Sequence, residues 1–208
     1  MRRHAAPGHR GMHLEIPDRR MRRVSGEPDH VIGNGSAASC TSAAVVRAVA
    51  KGGVVTFRCG PFPVTIVMRA TAKVRNTSSR VVIDGGGKVT LSGAGLRRIL
   101  DMDACYQRQV WTTSHCQDQA NLKLTVQNIT FAHGNSTGQH FDGGGGGAIF
   151  ARGGQLKVVN SRFVGSRCDQ TGPDLGGAVI AHSANTGTAR STSCTAHSPA
   201  VTAPTAAP

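Results

Sequence analysis

Two stretches of the sequence align with each other, LTVQNITF at residues 124–131 and LKVVNSRF at residues 156–163. They lie 32 positions apart, and the residues Leu, Val, Asn and Phe coincide at four of the eight positions. A second motif recurs at an offset of 30, as GGAIF at residues 146–150 and GGAVI at residues 176–180. Two motifs that recur with nearly one period predict a repeat architecture, either a solenoid or a propeller.

The side-chain pattern inside one repeat favours the solenoid. Apolar residues alternate up to Val126 and resume at Ile129 and Phe131, so the alternation slips by one residue. Side chains of a strand alternate between faces with period two, and a slip with both halves still facing inward requires a corner. Asparagine tolerates a positive φ better than most residues that carry a side chain. We therefore expect an all-β parallel β-helix of few coils, with Asn128 and Asn160 as stacked corner residues.

Glycines and phenylalanines at equivalent positions complete the predicted repeat. Glycine reaches backbone conformations that other residues avoid, so the glycine pairs should turn the chain into the next strand. The residues assigned a structural role are Asn128, Asn160, Phe131, Phe163, Gly146, Gly147, Gly176 and Gly177.

A capping helix is predicted over about residues 42–51, because the first coil of a solenoid needs a cover over its unpaired edge. The apolar stripe of this helix consists of Ala44, Val45, Ala48 and Val49. Thr41 or Ser42 can cap its N-terminus, and the glycines at positions 52 and 53 end it.

The two ends of the chain differ in composition from the body at residues 31–183. Residues 1–30 form a basic segment that we expect to be a disordered leader; a basic arm for nucleic acid is the other interpretation. The apolar core of a secretory signal peptide is missing from it. Residues 184–208 are rich in Ala, Thr, Ser and Pro and are expected to be disordered. They read equally well as a solvated stalk or as the product of a shifted reading frame.

The amino-acid composition restricts the fold classes to which the protein can belong and the kind of partner it can attract. The 208 residues include 27 glycines and only 4% aromatics, and valine outnumbers leucine, which argues against a helical bundle or a coiled coil. No stretch has the ~20 apolar residues of a membrane-spanning helix. The net charge is +13, and the body carries 16 basic and 7 acidic residues, or +9. This excess predicts attraction to polyanions such as acidic polysaccharides or cell-surface glycans, without a motif for specific nucleic-acid binding.

These motifs resemble those of the right-handed parallel β-helix proteins of the pectin-lyase-like superfamily, above all secreted or surface members with repeats of the polymorphic outer-membrane type. The likeness rests on residues 146–149, 176–179 and 160–163, and on VIDGGG at residues 82–87. The chain is shorter than such proteins usually are. The resemblance therefore implies a truncated piece of a longer solenoid, whose open C-terminal coil permits self-association.

Four of the six cysteines bracket predicted elements. Cys40 and Cys59 flank the capping helix, and Cys105 and Cys116 lie within an inserted loop predicted at about residues 101–121. Placement at element ends favours two disulfides and an oxidising compartment over reduced thiols in a cytosolic protein. The state of the remaining two, Cys168 and Cys194, stays open.

Candidate chemistry is confined to the same insertion. Candidates for calcium ligands are Asp101, Asp103 and Asp118. Oxygen donors suit calcium, and the β-helix lyases that this chain resembles commonly use calcium bound by aspartate. Trp111 and His115 are candidates for ligand contact. No catalytic motif and no cofactor site is otherwise found.

The function that we expect is therefore that of a non-catalytic secreted or cell-surface protein with a binding or scaffold role. The alternative is a polysaccharide lyase or glycoside hydrolase that acts on acidic glycans, and calcium belongs only to this alternative.

Overall fold

The computed structural model describes residues 26–75, 77–106, 116, 121–139 and 144–169, together with the backbone of residues 179–182 and 201–202. Most of the predicted leader and tail lies outside these residues. So do several residues singled out above, namely Trp111, His115, Asp118, Gly176, Gly177 and Cys194.

The described chain contains one α-helix, one short 3₁₀ helix at Ala37–Ser39 and twelve strands. The helix α1 spans Ser42–Lys51. The strands are β1 His30–Ile32, β2 Gly53–Phe57, β3 Val64–Val67, β4 Ala72–Lys73, β5 Arg80–Ser92, β6 Leu100–Asp103, β7 Lys123–Ala132, β8 Ile149–Arg152, β9 Gln155–Val159, β10 Arg162–Val164, β11 Val179–His182 and β12 Val201–Thr202.

The strands form two sheets, and the chain passes from one to the other and back. The larger sheet has the order β1-β2-β5-β7-β10-β12, with β3 also paired to β5 and β9 to β7. The smaller sheet has the order β11-β8-β6-β4. All pairs are parallel except that of β10 with β12. A parallel pair needs a crossover connection, which here runs through α1 between β1 and β2 and through the other sheet between the later strands.

The aligned stretches at residues 124–131 and 156–163 are neighbours in the larger sheet. Leu124 is the Cα partner of Leu156, and Val126 is that of Val158. Phe131 and Phe163 are stacked with their ring centroids 5.3 Å apart. Residues 32 positions apart in the chain therefore occupy adjacent strands in register.

The helix α1 packs into the same core as the strands. Val45 and Val49 are fully buried and belong to one apolar cluster with Val55, Ile83 and residues of the smaller sheet. The Thr41 hydroxyl accepts a hydrogen bond from the Ala44 amide at the N-terminus of the helix. The apolar stripe thus makes the helix a part of the core.

The predicted fold class, an all-β parallel β-helix solenoid, is wrong. The structure is a mixed α/β fold with parallel sheets, in which a helix and two sheets of unequal width share the core. The prediction rested on local periodicity and corner residues, which report where strands begin and how they pair. Such local signals do not determine how elements are layered, and a buried helix changes the class.

Candidate functional site

The outer side of the smaller sheet holds a cluster of buried charges, formed by Arg98, Asp101, Asp103 and Arg152 around Phe150. Residues two apart on a strand share a face, so β6 places both aspartates on one side. Parallel pairing sets Phe150 beside Asp101 and Arg152 beside Asp103. Asp101 is 4% exposed and Asp103 is 1% exposed.

Each aspartate of this buried charge cluster meets an arginine. Arg152 donates two hydrogen bonds to the Asp103 carboxylate, at 2.8 and 2.7 Å. Arg98 approaches Asp101 at 3.4 Å, and its other nitrogens donate to the carbonyls of Gly145 and Gly146 at 2.8 and 3.1 Å. Buried charges are tolerated when they are paired and hydrogen-bonded in this way.

The two aspartates are the described members of the predicted calcium site. Their carboxylates face guanidinium donors, which supply the positive charge that a cation would bring. Among the described residues, no group of three or more His, Cys, Asp or Glu side chains could hold a metal ion. The contacts of Asp101 and Asp103 are those of an internal ion-pair cluster.

A second polar network runs across the larger sheet, from Asp84 in β5 through Asn128 in β7 to Asn160 between β9 and β10. Asn128 and Asn160 both have positive φ, 50° and 43°, and the Asn160 amide donates to the Asn128 side-chain oxygen at 2.9 Å. The Asn128 amide donates in turn to Asp84 at 2.9 Å, and Gln127 donates to the same carboxylate at 2.7 Å. The hydrogen bonds of this network hold the Asp84 carboxylate in a partly buried position.

Few of the acidic residues that the structure describes are exposed at the surface. Of the six acidic residues in the described chain, Asp84, Asp101, Asp103 and Asp169 are partly or fully buried, and only Glu27 and Asp29 are exposed. Ten basic residues of the described chain are exposed: Arg47, Lys51, Arg58, Arg69, Arg75, Arg80, Lys88, Lys123, Arg162 and Arg167. We call these ten residues the cationic surface.

Two members of the cationic surface lie side by side without an intervening acid. Arg80 and Lys123 are Cα partners on the parallel strands β5 and β7, and both are exposed. Like charges at such positions are mildly destabilising. The next residue in that row is Gln155, which is uncharged. The pair concentrates positive potential at the start of these strands.

A shallow cavity of about 420 Å³ lies where β5, β7 and β10 end. It is lined by Ala94, Gly95, His133, Gly165 and Arg167. Sequence reasoning missed it, although a signal exists: His133 and Gly165 each stand two residues after an aligned phenylalanine. Arg98 and Arg152 were missed as ion-pair partners because arginine is rarely fully buried.

The disulfide prediction is confirmed for both bracketing pairs. Cys40 is bonded to Cys59, and Cys105 is bonded to Cys116. Cys168 is also disulfide-bonded. Such bonds are typical of an oxidising environment. In the part of the chain that the structure describes, no helix has the length and apolar character needed to cross a membrane.

Comparison of the chain with protein-family models, with curated protein sequences and with solved structures finds no match. The predicted membership of the pectin-lyase-like superfamily is wrong: the structure is α/β-like, with a parallel sheet and a helix, and no family model or relative supports the resemblance.

Proposed function

We propose that this protein is a non-catalytic binding protein for acidic polysaccharides outside the cell, and that the cationic surface is its binding face. The observation that carries the proposal is the separation of charges. Ten basic residues of the described chain are exposed against two acidic ones, while four carboxylates are wholly or partly buried. A field of one sign raises the local concentration of ligands of the other sign.

The stability of the fold does not explain why basic residues are exposed side by side, as Arg80 and Lys123 are. An exposed cation contributes little to stability, and the adjacent Arg80 and Lys123 oppose each other. The disulfides favour an oxidising compartment, where acidic glycans are abundant polyanions. Glycans are therefore preferred to nucleic acids as the partner, and the secreted or surface location is part of the proposal.

No observation favours the lyase or hydrolase alternative. Such an enzyme would need carboxylates placed to act on a bound sugar, whereas Asp101 and Asp103 are buried and engaged by arginines. The proposal is accordingly one of binding.

Retention on immobilised polygalacturonate tests the proposal, with a neutral galactan as the reference matrix. We expect retention on the acidic matrix alone and elution by salt, because screening at about 0.15 M weakens exposed charges beyond roughly 8 Å. Equal retention on both matrices, or none on either, would overturn it. Unsaturated products appearing in the ultraviolet, when polygalacturonate and calcium are supplied, would establish the lyase instead.

A charge variant and a matched control locate the binding face. The double variant R80Q/K123Q removes two adjacent cations, whereas Q155A changes the exposed neutral residue of the same row. The first should elute at lower salt than the unmodified protein and the second at the same salt. Double-stranded DNA as competitor shows whether the face distinguishes glycans from other polyanions; stronger binding to DNA would contradict the assignment.

A further inference from the structure

The cavity at the ends of β5, β7 and β10 has a floor built from three adjoining chain segments. The Gly95 amide donates to the His133 carbonyl at 2.7 Å, and the His133 amide donates to the Val164 carbonyl at 2.8 Å. The Asn135 side chain also donates to the Gly95 carbonyl at 2.8 Å. These bonds hold the lining residues in fixed relative positions, so the cavity is preformed.

The polar side chains that line the cavity are those of His133 and Arg167. Both are exposed, and neither side chain has a hydrogen-bond or ion-pair partner among the described residues. The other lining residues are Ala94, Gly95 and Gly165, which add no polar side chain. The cavity therefore presents two nitrogen donors over a small-residue floor and no carboxylate.

The backbone at this place keeps the imidazole beside the cavity. His133 has a φ of 51°, which is uncommon for a residue with a side chain. A Cβ atom on Gly165 would stand 2.7 Å from the His133 Nδ1 atom and 3.0 Å from its Cε1 atom. Glycine at position 165 thus leaves the space that the imidazole ring occupies.

We propose that this cavity binds a single oxyanion substituent, a carboxylate or a sulfate group, carried by an acidic sugar. A guanidinium matches the geometry of such a group with two parallel N–H donors. The His133 imidazole, which also lines the cavity, supplies a further donor. This inference rests on the proposed function and deepens it: the cationic surface attracts the polymer, and the cavity recognises one of its charged groups.

The experiment uses the whole protein and small sugars, so that long-range attraction contributes little. Galacturonic acid, galactose 6-sulfate and neutral galactose are titrated while the His133 imidazole resonance is followed by NMR. We expect both acidic sugars, or one of them, to shift this resonance and galactose to leave it unchanged; the stronger of the two identifies the oxyanion. A shift with neutral galactose, or none with either acidic sugar, would overturn the inference.

Two variants and a control assign the donors. Loss of a hydrogen bond to a charged group costs roughly tenfold or more in affinity. R167Q, followed at the His133 imidazole resonance, and H133Q, followed at the backbone amide resonance of Arg167, should each weaken binding of the acidic sugar by about that factor. K157Q removes a half-buried cation of β9 that neither lines the cavity nor belongs to the cationic surface, and it should change binding by about twofold or less. Equal losses in R167Q and K157Q would overturn the cavity site.

The failure of this inference is distinguishable from the failure of the proposed function. If polygalacturonate is retained but R167Q and K157Q behave alike toward the small sugars, the cavity site is refuted and the cationic surface stands. If polygalacturonate is not retained while the His133 resonance shifts with galacturonic acid, the proposed function is refuted and the cavity site stands. Native circular dichroism of each variant verifies that it is folded.

Discussion

The two charged regions of this molecule are built in opposite ways. In the buried charge cluster every carboxylate is matched by a guanidinium, and Arg98 is only 1% exposed. On the cationic surface, Arg80 and Lys123 stand next to each other with no acid between them in their row. In the described part of the chain, four of the six acidic side chains are thus buried or partly buried, whereas ten basic side chains are exposed.

The strongest test of this contrast is the removal of Arg98. The variant R98M would leave Asp101 buried beside an apolar side chain and would free the carbonyls of Gly145 and Gly146. We expect the free energy of unfolding to fall by about 3–5 kcal/mol, as measured by urea denaturation. R80M, at an exposed position, should change it by about 0.5 kcal/mol or less. Similar losses in both variants would break the comparison.

Removal of the Cys40–Cys59 disulfide gives a reference loss of stability, because its size follows from the length of the loop that the bond closes. It closes a loop with a sequence separation of 19, and the double variant C40A/C59A should lose about 3 kcal/mol through the entropy of the unfolded chain. The Cys105–Cys116 bond closes a separation of 11, so C105A/C116A should lose slightly less. Urea denaturation of both variants measures the difference, and the reverse order would contradict this account.

In the asparagine network, side-chain amides take the place that guanidinium groups have in the buried charge cluster and donate to a carboxylate. Asn128 combines a φ of 50° with hydrogen bonds to Asp84 and Asn160. N128A should lose about 2–3 kcal/mol, from the left-handed conformation and the lost bonds together. N128G removes the bonds but tolerates the conformation, so it should lose roughly 1 kcal/mol less. Equal stabilities of the two variants in thermal denaturation would show that the conformation carries no cost.

The smallest effect on the free energy of unfolding is expected at Arg80 and Lys123, which repel each other but are proposed to bind an anionic polymer. R80Q/K123Q relieves like-charge repulsion and should leave the free energy of unfolding unchanged or raise it by about 0.2–1 kcal/mol. The same variant should elute earlier from polygalacturonate. A clear loss of stability would show that these cations have a structural role, and the contrast between inside and outside would then weaken.

Strand pairing was accessible from the sequence because the paired segments resemble each other. Residues 124–127 and 156–159 align by their own side chains, and they are register partners in the structure. Helix α1 is accessible for a similar reason, since its cap and its apolar stripe are local. The fold class was not, because the layering of helix and sheets depends on contacts between segments far apart in the chain.

The charged regions could be predicted from the sequence only in part. Net charge can be counted, but the burial of carboxylates depends on distant partners: Arg98 donates to a carbonyl 48 residues away, and Arg152 pairs with an acid 49 residues away. Asp101 and Asp103 could be named as a pair on one face of a strand. The partner of Asp103 could not, because the pairing of β6 with β8 brings Arg152 from 49 residues away. Arg98 lies only three residues before Asp101, but its burial depends on carbonyls 47 and 48 residues away.

The ladder of side chains across β5, β7 and β9 has a consequence for how this chain could be altered. Asp84 pairs with Gln127 at a distance of 43 positions, and Gln127 pairs with Val159 only 32 positions later. Two connections that differ by eleven residues therefore deliver the chain to equivalent places. A change in the length of a connection between two such strands is therefore expected to leave the register of the sheet unchanged.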